Sequence, residues 1–172
     1  MADPRVLVVM GVSGSGKTTV GELLAQRLGW AYAEADTFHS EANIAKMAAG
    51  HPLDDADRAP WLAAIAAWID ARIAGHAPGV VTCSALKRRY RDVLRRPEAR
   101  FVYLEGSLEQ IAHRMAARHG HFFKVEMLAS QFADLEPPGP DEAAVTVSIE
   151  RTPAEIVEAV VAALGLTAGE GP

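Results

Sequence analysis

The sequence of 172 residues has one cysteine, no long apolar run and no excess of positive charge. The single cysteine, Cys83, excludes an internal disulfide and is typical of a protein from a reducing cytosol. No apolar stretch approaches the roughly 20 residues that a membrane-spanning helix needs, and Val6–Met10 is too short for the apolar core of a secretion signal. The net charge of −5 argues against non-specific binding to nucleic acid or to a membrane. These absences favour a soluble cytoplasmic protein.

Internal repeats and a second domain are also missing, and a chain with 49% hydrophobic residues suits one α/β domain over residues 1–172. Short β-rich runs alternate with longer runs of helical spacing, as parallel strands with crossover connections require. The pattern predicts a three-layer α/β/α fold with a five-stranded parallel sheet. The predicted strands are 6–10, 30–35, 79–83, 101–104 and 145–149, and the predicted helices are 17–28, 41–49, 57–74, 86–95, 107–117 and 152–165.

The stretch Gly-Val-Ser-Gly-Ser-Gly-Lys-Thr, residues 11–18, follows the first predicted strand and fits the pattern G-x-x-x-x-G-K-[ST] in full. Its glycines let successive N–H groups turn toward phosphate oxygens, and the next helix points its positive dipole end at the same anion. The pattern predicts that Lys17 reaches the outer phosphates and that the Thr18 hydroxyl completes the shell of a Mg²⁺ ion. The predicted nucleotide-binding residues of this loop are Gly11, Ser13, Gly14, Ser15, Gly16, Lys17, Thr18 and Thr19.

Two acidic residues, Glu34 and Asp36, stand at the end of the second predicted strand. Residues two apart on a strand share a face, so both carboxylates are expected on one side, next to the phosphate loop. One acid can hold Mg²⁺ through water while the other takes a proton from an attacking hydroxyl. The alternative is that both acids face solvent at the strand end, and the sequence leaves the two interpretations open.

A series of further motifs runs through nearly the whole chain in a fixed order. They are Asp36-x-x-His39, Asn43-x-x-Lys46-Met47, Gly50-His-Pro-Leu-Asp-Asp-Ala-Asp-Arg58, Pro60-Trp61-Leu62, Cys83-Ser-Ala-Leu-Lys87, Tyr90-Arg91-Asp92, Gly120-His-Phe-Phe123, Met127-Leu128 and Gln131-Phe132. With the phosphate loop, they resemble the gluconate kinases, within the shikimate- and nucleoside-monophosphate-kinase-like P-loop phosphotransferases. The resemblance implies a nucleoside-monophosphate-kinase-like fold with a lid, phosphorylation of D-gluconate on its 6-hydroxyl by Mg-ATP, and a homodimer.

The acceptor side of the implied reaction depends on few residues. Asp36 is expected to orient and deprotonate the acceptor hydroxyl. Arg58 can fork onto the substrate carboxylate with two hydrogen bonds, although a surface ion pair with Asp54 or Asp55 is the alternative. The predicted substrate-binding residues are Asp36, His39, Arg58, Ser84, Lys87 and His121, and the predicted metal-binding residues are Thr18 and Glu34.

The stretch 118–139 is polar and loop-rich and is predicted to be the lid. A lid must exclude water and add positive charge where the phosphoryl group is transferred. Arg118 is predicted to supply that charge, as a catalytic residue beside Asp36 and Lys17, and Arg114 lies one helical turn before it. Both arginines are predicted to bind the nucleotide, and the loop 150–153 is the expected place for its base.

Two remaining features have simpler interpretations. Cys83 is predicted to be a buried core residue, since phosphoryl transfer needs no covalent step here. The basic run 87–91 is predicted to be a solvated helix face from which at most Lys87 and Arg91 contact ligand.

Two alternatives to a gluconate kinase stay open. One is a kinase of another small acid or polyol, such as shikimate. The other is a nucleotide-binding switch without turnover, against which Asp36 and the lid arginines stand, because a pure switch does not need them.

Overall fold

A five-stranded parallel sheet forms the centre of the structure, a computed structural model that describes residues 3–51, 53–119 and 125–167. The strands run in the order β2-β3-β1-β4-β5, and every neighbouring pair is parallel. This confirms the predicted sheet. The strands are β1 (Val6–Met10), β2 (Ala31–Glu34), β3 (Gly79–Thr82), β4 (Ala99–Glu105) and β5 (Ala144–Ser148).

Helices connect the strands, and within the described residues they lie close to the predicted positions. One helix, α6, lies inside the stretch 118–139 that the sequence indicated as loop-rich. None of the helices in the described ranges is long and apolar enough to cross a membrane. The helices are α1 (Lys17–Leu28), α2 (Glu41–Ala48), α3 (Asp55–Ala74), α4 (Arg88–Leu94), α5 (Leu108–His119), α6 (Val125–Asp134) and α7 (Pro153–Leu164), with a 3-10 turn at Ala35–Phe38.

Strand β1 is the most deeply buried element, with every residue fully buried. Its side chains alternate between the two faces of the sheet. Leu7 and Val9 pack into a cluster with α1 and α7, whereas Val6, Val8 and Met10 pack into a second cluster with α3 and α4. The helices therefore cover both faces, as predicted, and the loop after β1 is held at the centre of the sheet's carboxyl edge.

Among the described helix starts, three carry a capping box, in which side chain and backbone of two residues exchange hydrogen bonds. The boxes Ser107–Gln110 and Thr152–Glu155 confirm the sequence prediction. The third, Asp54–Asp57, was not predicted and starts α3 two residues before its expected first residue. The Asp57 carboxylate also accepts from Lys46 Nζ at 2.6 Å, which ties α2 to the start of α3.

The basic run 87–91 is only in part the solvated helix face that the sequence suggested, because Arg88 and Arg89 are exposed but Arg91 is not. Arg91 is fully buried, and its Nε lies 2.7 Å from Glu142 Oε1. Its Nη1 also donates to the carbonyl oxygens of Ala85 and Leu86, just after β3. Arg91 is therefore part of the core and not the ligand contact that was expected. The sequence could not show this, because Glu142 lies 51 residues away.

The buried pair makes a testable contribution to stability. Replacing Glu142 by Gln leaves the Arg91 guanidinium buried without a counter-charge, and we expect the free energy of unfolding at pH 7 to fall by about 3–5 kcal/mol. Chemical denaturation measures this. Asp70→Asn is the matched control, because Asp70 pairs with Arg96 at the surface, where such pairs contribute less than about 1 kcal/mol. Equal losses of unfolding free energy in the two variants would contradict the conclusion that Arg91 and Glu142 form a buried, stabilising pair.

The Arg91–Glu142 pair also determines how the stability of the protein depends on pH. Burial acts to raise the pKa of Glu142, but hydrogen bonds from Arg91 and from the Gly139 N–H, with the Arg91 charge, outweigh it and lower the pKa below its ordinary value of 4.5. A carboxyl whose folded pKa is lowered stabilises the protein fully above its unfolded pKa and loses that contribution as the pH falls through the folded pKa. The difference in free energy of unfolding between the wild type and Glu142→Gln should therefore become smaller only below about pH 4.5.

Candidate active site

Two pockets flank the phosphate loop, residues 11–18, at the carboxyl edge of the sheet. The α5–α7 pocket, of about 620 Å³, has a wall formed by α5 and the start of α7. The α2–α6 pocket, of about 660 Å³, is lined by residues of α2, α3 and α6 and by the ends of β2 and β3. Gly14, Ser15 and Gly16 line the first pocket, whereas Ser13, Lys17 and Thr18 line the second. The loop therefore separates two spaces that share it as a wall.

The geometry of the loop suits a phosphate group. Gly16 is the N-cap of α1 in a left-handed conformation, with φ of 96°, and no side chain caps that helix end. The first turn of α1 also lacks an acidic residue, so its N–H groups and positive dipole end stay available to an anion. Ser15 Oγ is buried and has no hydrogen-bond partner among the described residues. A Cβ at Gly11 would lie 2.8 Å from that oxygen, which explains the glycine there.

Lys17 lies against the inner side of the loop. Its Nζ donates to the carbonyl oxygens of Gly11 at 2.9 Å and Val12 at 3.0 Å. Burial lowers the pKa of Lys17, although the charge of Asp36 acts in the opposite direction. An ammonium group held by neutral carbonyls gains more from a phosphate oxygen, because that oxygen also carries the opposite charge.

Three oxygen-bearing side chains meet next to the loop. Thr18 Oγ1 and the Tyr32 hydroxyl both donate to Glu34 Oε1, at 2.8 and 2.9 Å. Burial, and then the bond to Glu34, raises the pKa of Tyr32 to about 12, so the phenol stays protonated. Asp36 has left the strand and lies in the 3-10 turn, yet its carboxylate lines the α2–α6 pocket together with that of Glu34.

This donor set fits Mg²⁺, which binds proteins through one or two oxygen ligands and fills its remaining positions with water and phosphate. The described ranges contain no group of three or more His, Cys, Asp or Glu side chains that would form a protein-only metal site. Thr18 and Glu34 are the residues that would hold the ion, with Asp36 nearby.

An aromatic stack forms the floor beside Asp36. The rings of His39 and Trp61 lie 4.5 Å apart and nearly parallel. Trp61 Nε1 donates to Ala35 O at 2.7 Å. Asn43 Nδ2 donates to Asp57 O and lies 3.3 Å from His39 Nδ1, which therefore accepts and leaves the proton on Nε2. Burial lowers the pKa of His39, so the ring is neutral at pH 7 and offers a hydrogen-bond donor.

Arg58 combines both interpretations that the sequence allowed. It lines the α2–α6 pocket, and its Nη1 also lies 3.9 Å from Asp55 Oδ1. The same Nη1 donates to the Tyr90 hydroxyl at 3.1 Å, and that hydroxyl donates to Asp55. Tyr90 and Asp55 therefore orient the guanidinium group, although the sequence reasoning gave Tyr90 no role and offered Asp55 only as an alternative ion-pair partner.

The remaining predicted substrate residues have different positions. Ser84 lines the α2–α6 pocket, but Lys87 lies outside that lining, and its Nζ faces Asp134 at 3.9 Å. Cys83 is buried, and burial raises the pKa of its thiol to about 12, which confirms a core residue in place of a nucleophile. His121 lies outside the described residues.

The α5–α7 pocket carries the positive charge. Arg114 and Arg118 line it together with Thr19, Gly14 and Gly16. Arg151 and Pro153, from the loop after β5 where the nucleotide base was expected, line it as well. Arg151 had no predicted role. Arg114 Nη2 donates to Ile149 O, which fixes its side chain. Three arginines and a helix N-terminus make this pocket suitable for a polyanion.

Gln131 of helix α6 contacts the phosphate loop. Gln131 Oε1 accepts from the Ser13 N–H at 2.7 Å, and Gln131 Nε2 donates to Ser13 Oγ at 2.8 Å. The sequence placed Gln131 in a motif but gave it no function, because its partner is 118 residues away.

Comparisons with known proteins agree with this geometry. The sequence profile of the shikimate kinase family matches residues 13–164. A curated gluconokinase of Gluconobacter oxydans is 50% identical over 161 residues, which cover 92% of this chain and 90% of that protein. The crystal structure of a Sinorhizobium meliloti gluconokinase is 46% identical with a TM-score of 0.84, covering 96% and 94% of the two chains. A Janibacter sugar kinase structure is also 46% identical, with a TM-score of 0.86, and the match covers 95% of this chain and 96% of that chain.

More distant structures support the fold alone. Shikimate kinase of Aquifex aeolicus is 14% identical with a TM-score of 0.56 over 93% of this chain. The match to the family profile and the high identity to relatives along most of both chains agree with the two-pocket site. The chain therefore belongs to the gluconokinase family of P-loop kinases.

Proposed function

We propose that this protein transfers the γ-phosphoryl group of ATP to the 6-hydroxyl of D-gluconate. The observation that carries the proposal is the position of the phosphate loop between an arginine-lined pocket and a pocket that brings Glu34 and Asp36 together with Arg58. The first suits the polyphosphate of a nucleotide, and the second suits a polyol that carries a carboxylate. The named gluconokinases at about half identity support this pairing of substrates.

On the acceptor side, Asp36 orients and deprotonates the hydroxyl that attacks the phosphoryl group. Arg58 holds the carboxylate at the far end of the acceptor with two parallel hydrogen bonds, and Tyr90 keeps its guanidinium in place. The Nε2–H of His39 and the hydroxyl of Ser84 face the same pocket and suit the polyol hydroxyls between the two ends.

On the nucleotide side, the loop N–H groups and Lys17 bind the phosphates, and Arg114 and Arg118 add positive charge from α5. Bound Mg²⁺, held by Thr18 and Glu34, supplies further neutralisation of the phosphate charge. Stretch 118–139 acts as the lid that excludes water from the transfer. Arg118 lines the α5–α7 pocket, so its proposed catalytic role is to approach the transferred group from the nucleotide side.

A second acceptor class has one specific observation in its favour, since the matching family profile is that of shikimate kinases. Shikimate also carries a carboxylate that Arg58 can bind. A panel assay of ADP release over sugar acids, shikimate and nucleoside monophosphates distinguishes the acceptors. We expect D-gluconate to give the highest kcat/KM. If none of the acceptors on the panel stimulated ADP release, that result would favour a nucleotide switch.

Assembly and location complete the proposal. A homodimer is supported by the resemblance to the gluconate kinases, and sedimentation velocity measures it. A cytoplasmic location, without nucleic-acid or membrane partners, is supported by the single buried cysteine and the net charge of −5.

Asp36→Asn tests the acceptor base. The amide keeps the size of the side chain but cannot take a proton, so we expect kcat to fall by about 100-fold to 10,000-fold. The Kd of ATP should stay within a factor of about two, because the loop contacts remain. Steady-state kinetics and calorimetry measure both, with Asp70→Asn as the surface control. Wild-type turnover in Asp36→Asn would remove Asp36 from this role.

Arg58→Lys tests the carboxylate anchor. Lysine keeps the charge but loses the planar fork, and a hydrogen bond to a charged group contributes about 1.5–3 kcal/mol. We therefore expect kcat/KM for gluconate to fall by about tenfold to a hundredfold, while the KM for ATP stays unchanged. Arg27→Lys, in a surface pair with Glu158, is the matched control. An equal loss of affinity for ATP would show that Arg58 supports the structure of the whole site and does not bind the acceptor specifically.

A further inference from the structure

The contact between Gln131 and Ser13 occupies a backbone N–H of the phosphate loop, on the side of the loop that lines the α2–α6 pocket. Ser13 is the third residue of the phosphate loop, whose backbone N–H groups bind phosphate oxygens. That N–H is already a hydrogen-bond donor to Gln131 Oε1, at 2.7 Å. The second polar atom of the carboxamide, Nε2, donates to Ser13 Oγ at 2.8 Å, so the side chain holds Ser13 at two points.

A backbone N–H group has one hydrogen, so two acceptors compete for the same position in front of it. A phosphate oxygen on the Ser13 N–H must therefore displace Gln131 Oε1. The anion is the stronger acceptor, so displacement is favourable, but the bond that is lost reduces the net affinity for the nucleotide. A carboxylate in place of the carboxamide would compete as an anion, whereas the neutral group of Gln131 can be displaced.

The same contact positions one wall of the α2–α6 pocket. Helix α6 contributes Glu126, Met127, Ser130 and Asp134 to that wall, in addition to Gln131. The chain after α6 is attached to the loop after β3, where the Glu136 N–H donates to Leu86 O at 2.7 Å. Met127 and Val125, in the first turn of α6, are exposed, whereas Leu128 is buried in the core and Phe132 packs against the same cluster. Gln131 adds to this apolar packing a polar contact between the middle of α6 and the phosphate loop.

We infer that Gln131 is a positioning residue that couples the two pockets: it holds the acceptor wall against the phosphate loop and competes with the nucleotide for the Ser13 N–H. The inference rests on the proposed function for the identity of the two ligands. Its signature is a pair of effects of opposite sign. Removing the side chain strengthens nucleotide binding and weakens acceptor binding.

The test uses the full-length protein and measures each ligand alone by calorimetry, with a non-hydrolysable ATP analogue plus Mg²⁺ and with D-gluconate. In Gln131→Ala we expect the analogue to bind about twofold to tenfold more tightly, which is the range of one net hydrogen bond. Gluconate should bind more weakly by a similar factor. In Gln131→Glu the added negative charge should weaken binding of the analogue. Ser13→Ala, which keeps the N–H but loses Oγ, should shift both affinities in the direction of Gln131→Ala.

The controls separate this role from general damage. Gln26→Glu on the exposed surface of α1 makes the same change of charge away from both pockets and should leave both affinities unchanged. Thermal unfolding reports whether each variant folds. Weaker or unchanged binding of the analogue in Gln131→Ala would overturn the inference, since a merely structural residue cannot strengthen nucleotide binding. Failure of the wild type to bind gluconate would instead contradict the proposed function, and the nucleotide measurement would still decide the role of Gln131.

Discussion

The uncapped N-terminus of α1, presented by a loop that leaves the centre of the sheet, is the constraint on which the rest of the site depends. The buried strand β1 fixes the position of the loop, and Gly16 directs the helix N–H groups outward. A concentration of positive partial charge at this point attracts an anion, and each neighbouring side chain has to be compatible with it. The acids at the end of β2 therefore lie to one side of the loop, and the arginines of α5 lie on the other.

The division into two pockets follows from this arrangement. A kinase has to neutralise a polyphosphate and also keep a base near an acceptor hydroxyl, and these tasks require opposite charges. The phosphate loop is a single chain segment, and it separates the two pockets in which these tasks are carried out. Glu34 is held by Thr18 and Tyr32, so its charge is already partly compensated beside the phosphates. Asp36, in the turn that follows, has no such donor holding it in the described contacts.

The fold and the loop could be predicted because their signals are local. Residues 11–18 fit one continuous pattern, and the boxes at Ser107 and Thr152 span four residues each. The pairs Arg91–Glu142 and Ser13–Gln131 join residues far apart in the chain, and no periodicity indicates such partners. Arg91 was placed at the surface for this reason, because a basic run in sequence gives no sign of one member turning inward. Arg151 was missed because a single arginine in a loop has no pattern.

The indole of Trp61 joins the two ends of the acceptor pocket. Its Nε1 holds Ala35 O, the residue before Asp36, and it lies three positions after Arg58 on the same helix. With Asp36 and Arg58 in their proposed roles, this hydrogen bond helps to set the separation between the base and the carboxylate anchor. Trp61 therefore contributes to the span that an acceptor must match at its two ends, although its buried ring packs in the protein's own core.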